Sequence, residues 1–106
     1  MVPLLQRLDF VQSNFKRTEP DVAALPLRAS DYIRRQVKFT PFPKEPVGWM
    51  IANAGAELFL FSTDFPHPEG TKDPLGHFEK TMEGVSEPDR ERFYSKNFAE
   101  MMGWAL

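Results

Sequence analysis

Three ionisable side chains stand within six positions of one another: Asp64, His67 and Glu69. Carboxylate and imidazole are the donor types that suit zinc and similar divalent ions. The same groups move protons in general acid–base catalysis. The run just before them, Leu58, Phe59, Leu60 and Phe61, is continuously apolar, the pattern of a strand buried on both faces. Pro66, Pro68 and Gly70 then halt regular structure. Asp64 is therefore expected where a buried strand gives way to a loop, the edge at which α/β folds collect ligands and catalytic groups. A carboxylate in that place is partly desolvated and can serve as a base near neutral pH. A plainer reading has Asp64 bonding the backbone amides of the 66–70 turn and His67 on the loop surface. Spacing alone does not separate the two.

The elements that must position these groups are short. Leu4, Leu8, Val11 and Phe15 recur at helical spacing, which predicts an amphipathic helix over residues 3–17 with Pro3 in its first turn. Glu19–Pro20 and Leu25–Pro26 break the chain after it. Ser30 is a candidate cap for a helix over 31–36. Residues 37–40 alternate and are β-prone, so a strand is expected there, ended by Pro41 and Pro43. A helix over 45–53, stopped by Gly55, precedes the second strand, 57–62. Asp73 and Pro74 have the types of a cap and a first helical residue, and Leu75, Phe78 and Met82 follow on one face up to Gly84. Ser86 opens a final helical stretch carrying Phe93, Phe98, Met101 and Met102 up to Gly103. Trp49, Met50 and the 93–102 group read as core or interface. Asn97 reads as a buried amide tying the last turn to the loop, His77 as a helix-surface or half-buried histidine, and Arg34 and Arg35 as a solvated pair.

Two strands around a helix make one right-handed βαβ unit with a parallel pair. Parallel sheets need several strands and two covered faces, so this chain is expected either to pair its strands with another copy or to be part of something larger. Its 106 residues suffice for one modest core. A formal net charge of −2 gives no argument for nucleic acid or an anionic membrane. The absence of cysteine excludes disulfides and thiolate zinc sites. No apolar stretch is long enough to span a bilayer and no signal-peptide core stands at Met1, so a cytoplasmic protein is expected. The 10 prolines and 10 phenylalanines describe short elements joined by shaped loops around buried aromatics, not a disordered tail.

The stretch Thr63, Asp64, Phe65, Pro66, His67, Pro68, Glu69, Gly70, with Asn97, Phe98, Ala99, Glu100, Met101, Met102, Gly103 after it, resembles the C-terminal end of the amidohydrolase superfamily. The likeness is to the amidohydrolase-related branch that includes aminocarboxymuconate-semialdehyde decarboxylase-like enzymes, whose last barrel strand ends in a motif like Ser-Asp-Tyr-Pro-His. The resemblance implies an α/β chain, mostly helical by residue count, forming the C-terminal third of a (β/α)8 TIM barrel as a single partial domain over residues 1–106. Residues 37–40 would be strand 7 and 58–62 strand 8. It implies that Asp64 is a metal ligand or a proton-transferring base, with a divalent metal, zinc first among the candidates, in the complete enzyme. His67 and Glu69 would line the mouth of the site and touch a small-molecule substrate.

The family's His-x-His and its histidines on strands 5 and 6 have no counterpart, since His67 and His77 are the only histidines. One carboxylate and one imidazole do not make the usual set of three or more protein ligands, so the isolated chain is expected to be inactive. The first functional expectation is thus the C-terminal piece of a metal-dependent hydrolase or decarboxylase. The alternative is a non-catalytic module that keeps the family sequence and buries its strand edges in a homo-oligomer. A third arrangement, several copies building one pseudo-barrel with a composite metal site, conflicts with the linked strand number and tilt of barrels.

Overall fold

The computed structural model describes residues 1–105, which divide into two compact units, the first Met1–Val37 and the second from Lys38 onward. The first holds three helices, α1 (Val2–Phe15), α2 (Pro20–Ala23) and α3 (Ala29–Gln36). Glu19–Pro20, read from sequence as a break, instead starts α2, with the proline in the first turn where its missing N–H costs nothing. The expected apolar stripe of α1 is not sealed in a core: Leu4, Val11 and Phe15 are exposed, and the buried positions are Val2 and Leu5. Leu8, Val11 and Phe15 instead line an open groove of about 400 Å³ with Val22, Leu25 and Ile33.

Ser30 is not the cap of α3. The helix starts at Ala29, two residues before the expected position 31, and its N-terminal groups are satisfied by side chains of α1. Asp9 accepts from the Ser30 N–H at 2.8 Å and from the Ser30 hydroxyl at 2.7 Å. Gln12 accepts from the Ala29 N–H at 2.7 Å and donates to the Leu27 carbonyl at 2.9 Å. These donors are among those every helix N-terminus leaves unpaired. Asp9→Ala is expected to lower stability by about 1–2 kcal/mol in urea unfolding, the scale of a lost cap. An unchanged midpoint would refute the role given to Asp9. At the surface, Arg28 pairs with Asp31 at 3.1 Å, which holds the Asp31 carboxyl below its usual range. Arg35 lies over the Tyr32 ring at 5.6 Å.

The second unit contains α4 (Val47–Ala54), a 3-10 turn (Ala56–Leu58), α5 (Pro74–Glu79), α6 (Glu87–Glu91), a π turn (Arg92–Lys96) and α7 (Asn97–Met102). The two expected strands, and with them the two-stranded partial barrel, are not formed: no strand is present among the described residues. Phe39 and Phe59 meet in a single isolated parallel bridge. The Phe39 N–H donates to the Leu58 carbonyl and its own carbonyl accepts from the Leu60 N–H, both at 2.8 Å. The parallel direction is that of the βαβ reading, but the ladder stops after one residue. Pro41 and Pro43 follow immediately and carry no N–H to extend it, while residues 56–58 wind into the 3-10 turn.

Burial on both faces is nevertheless real, with Leu58 and Phe59 at 0% exposure and Leu60 at 7%. Phe61 packs edge-on against Phe78 and Phe93, with centroids 5.8 and 6.1 Å apart, and Phe78 and Phe93 lie 5.1 Å apart. Such pairs add about 0.5–1.5 kcal/mol each beyond their buried area. Polar groups fasten the helices around this cluster. Glu79 accepts from the Tyr94 hydroxyl and from Arg90, both at 2.7 Å. Arg90 also donates to the Val85 and Met82 carbonyls of the turn after α5. Burial, and then the Glu79 carboxylate, push the Tyr94 hydroxyl above its ordinary pKa, so it stays a donor.

Trp49, expected in a core or interface, is 55% exposed, and Phe98, Met101 and Met102 are exposed too, whereas Phe93 is buried. α4 is short and buries only Val47, Gly48, Ile51 and Ala54, so position 49 points off its packed face. No helix among the described residues is long and apolar enough to cross a membrane.

Candidate functional site

The fully buried Leu58 and Phe59 and the nearly buried Leu60 lead through Phe61 into the loop that carries Asp64. Ser62 and Thr63 shape the approach: the Ser62 hydroxyl accepts from the Asp64 N–H at 3.3 Å, and the Thr63 hydroxyl from the Phe65 N–H at 3.2 Å. Asp64 itself has φ of 55°, in the left-handed region where an aspartate is tolerated but disfavoured, and the Phe65–Pro66 peptide that follows is cis. The Asp64 carbonyl accepts from the His67 N–H at 2.9 Å and the His67 carbonyl from the Gly70 N–H at 3.0 Å, two successive tight turns.

Gly70 closes this loop from inside. A Cβ there would stand 3.0 Å from the Asp64 carbonyl oxygen, 3.1 Å from that of His67 and 3.2 Å from that of Thr63. All three are backbone atoms, so the loop is drawn around a residue without a side chain.

The plainer reading of Asp64, a carboxylate bonded to the amides of the turn, is not what forms. Its Oδ2 is buried and has no hydrogen-bond partner. Buried polar atoms are nearly always paired, so an orphan carboxylate oxygen at a loop mouth is a place for a cation or a donor group to bind. His67 and Glu69 are both exposed. His67 borders an open cavity of about 710 Å³, also lined by Thr63, Phe65, Thr71 and Lys72. Glu69 and Asp64 are not part of that lining, so the three residues singled out by spacing do not converge. Among the described residues, no three of His, Cys, Asp and Glu gather closely enough to hold a metal ion. A divalent metal therefore fits Asp64 as one donor, and the described residues do not present a complete ligand set.

Sequence spacing missed Thr71 and Lys72 as cavity residues. Their only signal was position, directly after Gly70 and before the Asp73 cap of α5. That cap is formed as expected, Asp73 accepting from the Gly76 N–H at 2.9 Å. His77 sits half-buried on α5.

No protein-family model matches this chain, and no curated protein matches it. Among solved structures, an amidohydrolase from Mycobacterium avium subsp. paratuberculosis K-10 is similar, with a TM-score of 0.73 and 24% sequence identity over 95% of this chain. The chain spans 24% of the length of that protein. The likeness establishes a fold related to an amidohydrolase, in keeping with the barrel-related class expected from sequence. The ladder of that class is reduced here to one bridge.

Proposed function

We propose that this chain is the C-terminal piece of a metal-dependent amidohydrolase-like enzyme, a hydrolase or a decarboxylase of the aminocarboxymuconate-semialdehyde decarboxylase-like branch. In this reading Asp64 is the acid at the end of the last barrel strand, as metal ligand or general base. The observation that carries it is the buried, unpartnered Asp64 Oδ2 shortly after the buried 58–60 segment. The amidohydrolase-like fold supports the placement. In the complete enzyme a bound divalent metal, zinc first among the candidates, would polarise a carbonyl or acidify a water. What this chain contributes is a carboxylate held without a competing donor, free to take a proton or a cation. His67, on the cavity wall, would touch the small-molecule substrate, and Glu69 would reach it only from the exposed side of the loop.

Reading the coding DNA upstream of Met1 tests this first. In-frame strands with a His-x-His are expected. In the protein so encoded, Asp64→Asn is expected to lower kcat by about a hundredfold to ten-thousandfold, the range for loss of an acid–base group. Normal turnover in that variant would remove Asp64 from the chemistry.

A second reading is favoured by one observation: Phe10, Phe42, Trp49, Phe65 and Trp104 are all more than half exposed. Scattered apolar surface of this kind suits a non-catalytic module that associates with its own copies or with the rest of a barrel. Sedimentation of the chain alone distinguishes the readings. A stable, metal-free multimer supports the module, and a folded monomer in dilute solution counts against it.

A further inference from the structure

The backbone of residues 58–61 is held from two sides, in the same pattern but by different means. Phe39 holds one edge, donating to the Leu58 carbonyl and accepting from the Leu60 N–H. That is what a residue of a parallel neighbouring strand does. The Phe59 carbonyl and the Phe61 N–H belong to the alternate residues and so face the opposite edge. There the side-chain amide of Asn97 donates to the Phe59 carbonyl at 2.9 Å, and the Phe93 carbonyl accepts from the Phe61 N–H at 3.0 Å.

The π turn makes this possible. The Asn97 N–H bonds the Arg92 carbonyl, five residues back, rather than that of Phe93. The Phe93 carbonyl thereby loses its α-helical partner and is free to pair with Phe61. Asn97 also donates to the Ala56 carbonyl at 2.6 Å, and its own oxygen accepts from Arg92 at 3.3 Å. Asn97 and Phe59 are both at 0% exposure, so no water can replace these bonds.

We propose that Asn97 is a positioning residue for Asp64. Its carboxamide and the Phe93 carbonyl together stand in for one residue of a parallel strand. The register they impose on Phe59 and Phe61 sets where the chain delivers Asp64, three residues on. The proposal rests on the reading of Asp64 as the working carboxylate. Asparagine is suited to the task because one group donates twice and accepts once. An ionised aspartate cannot donate, alanine leaves the buried Phe59 carbonyl bare and the Ala56 carbonyl with only the Phe59 N–H, and glutamine carries the same group one methylene too far.

The test uses the whole chain, labelled for amide hydrogen exchange by NMR, with Asn97→Asp, Asn97→Ala and the milder Asn97→Gln. Val47→Ala, at a fully buried position of α4, serves as a control that lowers stability without touching this edge. The expected result is exchange at Phe61 at least tenfold faster in Asn97→Gln than in Val47→Ala matched for stability. The amide resonance of Asp64 should move while that of Ile51 stays. If Asn97→Ala and Asn97→Asp do not fold, Asn97→Gln alone decides. Equal acceleration at Phe61 and Ile51, with the Asp64 resonance unmoved, would reduce Asn97 to a packing residue and overturn the proposal. Turnover separates this result from the assignment of Asp64. If Asp64→Asn keeps full activity in the longer enzyme, that assignment falls, whereas exchange at Phe61 reports on Asn97 alone. Where Asp64→Asn is inactive, Asn97→Gln is expected to lower kcat with KM unchanged.

Discussion

Gly48→Ala is expected to lower the melting temperature by about 12–24 °C, or to prevent folding of the second unit. A Cβ at position 48 would lie 1.7 Å from the carbonyl oxygen of Thr81 and 2.7 Å from its carbon. Both are backbone atoms, so no rotamer change relieves the clash. α4 and the turn after α5 would have to move apart, and the bond from the Gly48 N–H to the Thr81 hydroxyl, 3.1 Å, would go with them. Over-packing of this kind costs about 3 kcal/mol at the upper end of its usual range, and each kcal/mol is about 4–8 °C for a small domain. Thermal denaturation followed by circular dichroism measures it. A variant melting within about 4 °C of the parent would mean that α4 does not pack so closely.

The opposite sign is expected at Asp64. Asp64→Gly should raise stability by about 1 kcal/mol or more while removing the proposed function. Two unfavourable features leave together: a non-glycine residue with φ of 55°, worth about 1–3 kcal/mol of backbone strain, and a buried carboxylate oxygen with no partner, worth about 1–3 kcal/mol of desolvation. The greater freedom of glycine in the unfolded chain offsets about 0.5–1 kcal/mol of this. Asp64→Ala should gain less, because it removes the carboxylate and keeps the strained backbone. Urea unfolding of the three proteins at one pH supplies the comparison. A destabilised Asp64→Gly would show that the carboxylate supports the fold, and the case for a residue held for chemistry would weaken. Residues retained against stability are those that function requires.

What could be read from sequence was local. The Asp73 and Ser86 caps form as their residue types demand, with Asp73 bonding Gly76 and Ser86 bonding Asp89. Gly55 ends α4, and Leu58, Phe59 and Leu60 are buried as the apolar run required, with Phe61 half-buried at its end. What failed depended on distant partners. A strand is a pairing and not a property of its own residues, so 37–40 and 57–62 could not reveal that they would share one bridge. Asp9 and Gln12 looked like ordinary polar positions of α1, because the N–H groups they satisfy lie up to 21 residues away. The left-handed backbone at Asp64 left only a weak trace in residue type, since aspartate is enriched in that region but adopts it at few of its positions. Asn97 could be recognised as a buried amide, but its partners, the carbonyls of Ala56 and Phe59, followed only from the fold.

The capping of α3 by α1 also governs how the first unit melts. An eight-residue helix is far shorter than the lengths at which isolated helices persist in water. α3 has no side-chain cap of its own, and the groups that complete its first turn come from α1. Neither helix can therefore fray away and leave the other intact. Heat or denaturant should take both in one cooperative step, and a peptide of residues 26–37 should be coil until a segment carrying Asp9 and Gln12 is supplied.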